Sequence, residues 1–228
     1  MTIDVVMPAL DESATIAANV AAAKACRFVR EVIVVDDGST DGTAAVAEAA
    51  GARVVRRAGG GSKALAMAAG VAASDAGALL FVDADCVGLT SAHLDAICAP
   101  FTEGRADMSL GFFDYGAVLN RLVRRLSPIT GERVLHRWIW NAVPREKLDG
   151  YTIELRLNEV VAERRLRTVG RTMRGVSHRT KREKHGVVEG IRRTWFMFRD
   201  LATMLRPFGD LRWRAYRWYL RGLSIERD

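Results

Sequence analysis

Apolar and polar positions along the first hundred residues fall into short blocks whose period switches between that of a buried strand and that of a helix. Residues 3–7 form a β-rich apolar run, and residues 13–25 follow with alanine-rich helical spacing. The same pair recurs as a strand over 31–35 with a helix over 43–50, then as a short strand over 53–56. After Gly59-Gly60-Gly61, Ser62 is placed to cap a helix running to about residue 73, and residues 78–82 form a fourth strand. This fourth run is apolar throughout, without alternation, as a strand covered on both faces should be. Strands alternating with helices in this way predict a parallel sheet with right-handed crossovers, an α/β fold.

Beyond residue 101 the pattern loosens. It predicts a strand over 108–113, a helix over 117–126, a loop over 127–131 and an amphipathic helix over 153–164. In that last helix Leu155, Leu157, Val160 and Val161 face inward, and Arg156, Glu159, Glu163 and Arg164 outward. A strand over 167–173 comes next and ends near His178, and past Gly186 two basic, aromatic-rich helices separate at Pro207-Phe208-Gly209. The division this suggests is a domain over 1–180, with a nucleotide-binding half at 1–100 and an acceptor half at 101–180, and a helical tail at 187–228.

Composition narrows the class. With 49% hydrophobic residues in 228, the chain can bury a sizeable core. No apolar stretch reaches the roughly 20 residues a bilayer span needs, and the first ten residues lack the basic head of a secretory signal, so a cytoplasmic protein is expected. Three cysteines without CxxC spacing exclude a disulfide framework and a zinc site, and read as reduced core thiols. Charge is asymmetric: residues 1–110 carry 8 Lys+Arg against 14 Asp+Glu, and residues 111–228 carry 26 against 13. The halves therefore hold −6 and +13, and the basic one calls for an anionic partner. No nucleic-acid-binding motif accompanies that charge.

Chemistry concentrates at two acidic turns, each at the end of a predicted strand. They are Asp36-Asp37-Gly38-Ser39-Thr40-Asp41-Gly42 and Asp83-Ala84-Asp85. The carboxyl ends of parallel strands are where open α/β sheets bind ligands, and carboxylates there supply hard oxygen ligands for a cation beside a diphosphate. A dinucleotide-binding GxGxxG is missing after the first strand, which disfavours a nicotinamide or flavin enzyme.

Four segments in this order carry a resemblance: Pro8-Ala9-Leu10-Asp11-Glu12, Asp36 to Thr43, the helix start at Lys63, and Asp83-Ala84-Asp85. Together they resemble family 2 glycosyltransferases of the GT-A fold over roughly residues 2–180. Thr130-Gly131-Glu132-Arg133, Gly150 to Glu154 and Gly175-Val176-Ser177-His178 are similar to segments of dolichyl- and polyprenyl-phosphate sugar synthases and, more distantly, of glucosyl-phosphoglycerate synthases.

The resemblance implies sugar transfer, with inversion, from a nucleoside diphosphate sugar, UDP-sugar before GDP-mannose, assisted by Mn2+ or Mg2+. It places Asp85 on the cation, His178 completing the metal site, and Asp83 and Ala84 beside the sugar nucleotide. Pro8, Ala9, Glu12 and Asp37 line the nucleoside pocket, and Lys63 meets a phosphate. Arg133 would hold an acceptor phosphate, with Glu154, Asp149 or Glu132 as the base for a hydroxyl acceptor. Val87 stands where several relatives carry a polar metal-contacting side chain.

Polyprenyl phosphate is the first expected acceptor, and a small soluble hydroxyl compound the second. Nucleotidyl transfer is disfavoured because the first loop is acidic, and a non-catalytic binding module because both acidic clusters are present. Aromatic and arginine residues of the tail suggest peripheral contact with an anionic membrane surface, or packing on the domain or in a homodimer.

Overall fold

The computed structural model describes residues 1–59, 62–114, 130–144, 153–179 and 213–226. The expected helix at 117–126, the acid at 149 and the first part of the tail lie outside these residues.

The first strand, β1 (Ile3–Ala9), lies between β2 (Val29–Asp36) and β4 (Ala78–Phe81), parallel to both, and β3 (Arg53–Arg56) continues the sheet beside β2. Six of its seven residues are buried, as a central strand covered on two faces requires. One of these is polar: Asp4 is fully enclosed, and its carboxylate accepts from Arg30 Nε and Nη2 at 2.9 and 2.7 Å and from Ser74 Oγ at 2.6 Å. A buried carboxylate is tolerated only with this kind of saturation.

Alternate side chains feed two cores. Val5, Met7 and Leu80 join residues of α1 (Ile16–Lys24) and α4 (Ser91–Thr102) on one face. Val6, Leu79 and Phe81 join α3 (Lys63–Ala73), α5 (Arg137–Asn141) and α6 (Ile153–Glu163) on the other. Helix α2 (Thr43–Ala49) packs beside α1 on the first face. Gly70 lets α3 lie close to the sheet, since a Cβ there would sit 2.4 Å from Val6 Cγ1 and 2.9 Å from Val35 Cγ2. Helix α4 opens on a capping box, in which Thr90 N donates to His93 Nδ1 at 3.2 Å.

With β6 (Met108–Phe113), β7 (Arg133–His136), β8 (Thr168–Met173) and β10 (Ser224–Glu226), the sheet has eight strands in the order β10-β8-β6-β7-β4-β1-β2-β3 among the described residues. Strands β6 and β8 run parallel, while β7 is antiparallel to both β4 and β6. The sheet is thus mostly parallel, in keeping with the GT-A expectation, and β7 is the departure. A second, two-stranded ribbon pairs β5 (Cys86–Val87) antiparallel with β9 (Ser177–His178).

The end of the chain is built into this domain. Helix α7 (Trp213–Gly222) packs on α6, and β10 extends the sheet parallel to β8. Tyr219 of α7 is 1% exposed within the second core, whereas Trp218 on the same helix is 39% exposed. The separate tail expected over 187–228 therefore ends in elements of the domain. No helix among the described residues is long and apolar enough to cross a membrane. All three cysteines are free and buried, as expected.

Candidate active site

Strands β1, β2 and β4 end side by side, so their following turns meet at one edge of the sheet. The β1–α1 and β2–α2 turns are laced together: Glu12 N donates to Thr43 Oγ1 at 2.8 Å, Asp11 N to Ser39 Oγ at 3.0 Å and Thr40 N to an Asp11 carboxylate oxygen at 2.8 Å. Ala9 and Glu12 are buried there, and Pro8 is half-buried. Asp37, 4% exposed, is paired with Arg57, a residue the sequence reading passed over. Gly38 adopts a φ of +87° and lies close to the Gly59 segment, where an added Cβ would meet Gly59 Cα at 2.8 Å.

The Asp83-Ala84-Asp85 turn follows β4 and is fastened from beneath by α1. Thr15 Oγ1 donates to Ala84 O at 2.8 Å, and Asn19 Nδ2 donates to Ala84 O at 2.9 Å and Cys86 O at 3.0 Å. From the other side, Arg179 N donates to Asp85 O at 3.0 Å, and the β5–β9 ribbon sets Cys86 opposite His178. Asp83, Asp85 and His178 each present one ligand atom, and these atoms lie within 4.8 Å of one another. His178 Nδ1 is 3.0 Å from Asp85 Oδ1, and its ring packs on Phe113 with centroids 4.1 Å apart. Burial disfavours the imidazolium, but the Asp85 contact and the charges of Glu132, Asp83 and Asp85 outweigh it and raise the His178 pKa. Two carboxylates and one imidazole are a donor set that suits Mn2+ and also accommodates Mg2+.

Lys63, the first residue of α3, joins two acids from different parts of the chain, Asp83 and Glu154. Its Nζ lies 2.6 Å from Asp83 Oδ1 and 2.8 Å from Glu154 Oε1. Burial opposes the ammonium, yet the two carboxylates hold it charged well above the ordinary lysine range. Gly131 lets the Asp83 carboxylate lie against the chain, because a Cβ there would fall 2.3 Å from Asp83 Oδ2. Glu132 is enclosed below: Oε1 accepts from Cys86 Sγ at 3.3 Å and Oε2 from Thr130 Oγ1 at 2.7 Å. Burial and the neighbouring Asp83 charge push its pKa up.

Arg133 is placed differently from the expectation of an acceptor-phosphate ligand. It is 0% exposed, and its guanidinium turns inward to Thr130 O, Glu154 O and Asn158 Oδ1. Asn19, Thr15 and Asn158 were missed because no motif marks them: Asn19 is a lone polar residue among the buried apolar ones of α1, Thr15 stands in the loop just before that helix, and Asn158 lies among the buried, mostly apolar residues of α6.

Residues 4–160 match the profile of glycosyl transferase family 2. The chain belongs to this family of glycosyltransferases. Solved structures share its fold. A mycobacterial protein is 28% identical, with a TM-score of 0.67 over 79% of this chain and 68% of its own. Glucosyl-3-phosphoglycerate synthase from Mycobacterium tuberculosis, in complex with Mn2+, UDP and phosphoglyceric acid, is 25% identical, with a TM-score of 0.75 over 90% of this chain and 77% of its own. The same synthase with Mg2+ and UDP is also 25% identical, with a TM-score of 0.75 over 90% and 78%. No curated protein matches this chain.

Proposed function

We propose that this glycosyltransferase moves a sugar from a UDP-sugar to a small phosphorylated acceptor, with Mn2+ or Mg2+ held by Asp83, Asp85 and His178. The observation that carries the reading is the convergence of those three ligand atoms within 4.8 Å, at the sheet edge where the nucleoside-side turns also meet. The choice of UDP and of a small acceptor draws on the synthase complexes, which hold UDP with phosphoglyceric acid or UDP-glucose with glycerol 3-phosphate. Polyprenyl phosphate, whose phosphate oxygen would itself be the nucleophile and need no base, is the second acceptor to test.

A bound cation would neutralise the charge that gathers on a departing nucleoside diphosphate. Pro8, Ala9, Glu12 and Asp37 shape the nucleoside pocket. Lys63 supplies a positive charge at a helix start, where a phosphate is favoured. Glu154 takes the proton from an acceptor hydroxyl.

The test is turnover of UDP-glucose with 3-phosphoglycerate, glycerol 3-phosphate or a polyprenyl phosphate, together with thermal shifts produced by UDP and GDP in Mn2+ or Mg2+. Asp85→Asn is expected to stay folded and to lose about 10²-fold or more in turnover. Full turnover in chelator would overturn the metal-assisted reading.

A further inference from the structure

A buried guanidinium is costly unless its donors are met, and where they are met shows what it holds in place. Arg133 lies at the head of β7 and is completely enclosed. Its Nε donates to Thr130 O at 3.1 Å, and Nη2 donates to the same carbonyl. Nη1 donates to Glu154 O at 3.2 Å and to Asn158 Oδ1 at 3.0 Å. Glu154 and Asn158 stand four residues apart in the first turns of α6, on one face of that helix. Asn158 is itself 0% exposed, and its Oδ1 also accepts from Tyr219 Oη at 3.3 Å. Tyr219 belongs to α7, some sixty positions further along the chain, and is 1% exposed.

These contacts form a continuous polar path from the C-terminal helix to the site. One end is the Tyr219 hydroxyl. The other divides at Arg133 towards Thr130, whose Oγ1 is 2.7 Å from Glu132 Oε2, and towards the main chain of Glu154, whose carboxylate is 2.8 Å from Lys63 Nζ. We infer that Arg133, Asn158 and Tyr219 form a buried clamp that positions Glu154, making α7 a working part of the acceptor side of the site. This rests on the proposed role of Glu154. The three are positioning residues: they act on the helix that carries the acid and do not touch substrate. A base displaced by a fraction of an ångström loses rate without weakening donor binding, because the donor is held by other turns.

Tyr219→Phe removes one hydroxyl and keeps the ring, so α7 retains its packing. The expected result is a fall in kcat of about three- to tenfold, the scale set by one neutral hydrogen bond, with KM for the UDP-sugar unchanged. In a Glu154→Gln background the same substitution is expected to cost no further rate, since it acts through the carboxylate already removed. Independently of turnover, amide hydrogen exchange of the intact protein should speed up over residues 130–133 and 153–158 in Tyr219→Phe, relative to the rest of the domain. Wild-type kcat, an additive loss in the double variant, or unchanged exchange over those segments would each overturn the clamp. If the wild-type chain turns over no UDP-sugar, the functional reading fails, and the exchange measurement still decides whether the clamp exists.

Discussion

At the scale of single residues, the site depends on side chains that never meet a substrate. Asn19 is 1% exposed and spends its amide on the carbonyls of Ala84 and Cys86, the two main-chain groups flanking Asp85. Asn19→Ala takes a donor from both carbonyls in a buried setting, leaving Ala84 O to Thr15 Oγ1, at a cost of about 1–2 kcal/mol. We expect a lower melting temperature and, because Asp85 is no longer held, weaker Mn2+ binding measured by calorimetric titration. A variant with wild-type Mn2+ affinity would mean that Asp85 is placed by the β5–β9 ribbon alone. Lys63 shows the complementary economy: one ammonium satisfies Asp83 and Glu154 together, so the acids assigned to donor and acceptor share a counter-charge.

At the scale of elements, the parallel half of the fold was legible because buried strands and amphipathic helices leave period-specific runs. The expected strand at 53–56 and the expected strand at 108–113 are β3 and β6 at the same limits. The helix expected from residue 13 starts at Ile16, since Thr15 turns its hydroxyl to Glu12 O and Ala84 O in the loop. Strand β7 was not legible: its opening arginine is buried, unlike the exposed Arg53 that opens β3, and only a tertiary cage makes an arginine a core residue. The same applies to Arg133 as a site residue, because sequence places it beside Glu132 but carries no sign of which way the guanidinium turns.

Acids in the turns that lead into helices, by contrast, have short-range signatures that can be tested by pH. Asp41 accepts from Thr43 N at 3.0 Å at the start of α2 and from Ser13 N at 2.9 Å across the loop. Partial burial raises its pKa, but the hydrogen bonds from Thr43 and Ser13 outweigh it and lower the value from 3.8 to about 2. A depressed folded pKa means that the stabilisation is present above the unfolded value and is lost as pH falls towards the folded one. The melting-temperature gap between wild type and Asp41→Asn should therefore be largest above about pH 5 and close as the pH approaches 2. A gap constant across that range would show that Asp41 stabilises through shape alone.

At the scale of the whole molecule, the charge asymmetry and the end of the chain take on structural meaning together. The acidic half supplies the turns of the site, and the basic half returns to the sheet through α7 and β10. Two arginines fasten that return: Arg171 of the basic half pairs with Glu226 at 3.2 Å, and Arg105 of the acidic half pairs with the same carboxylate. Tyr219 sits in the second core, with Ala215, Leu220, Leu223 and Ile225 packed against it. Burying the tyrosine alone contributes about 2 kcal/mol, and its neighbours add to this, against a typical net stability of only about 5–15 kcal/mol. Removing residues 213–228 is accordingly expected to lower the melting temperature by more than about 10 °C, read by circular dichroism, and to abolish sugar transfer along with it. A segment serving only as a lipid anchor would behave otherwise, leaving the melting of the remaining domain unchanged and removing binding to anionic vesicles. The truncated chain melting like the full-length protein would therefore place α7 and β10 outside the cooperative domain, and with them the path from Tyr219 to Glu154.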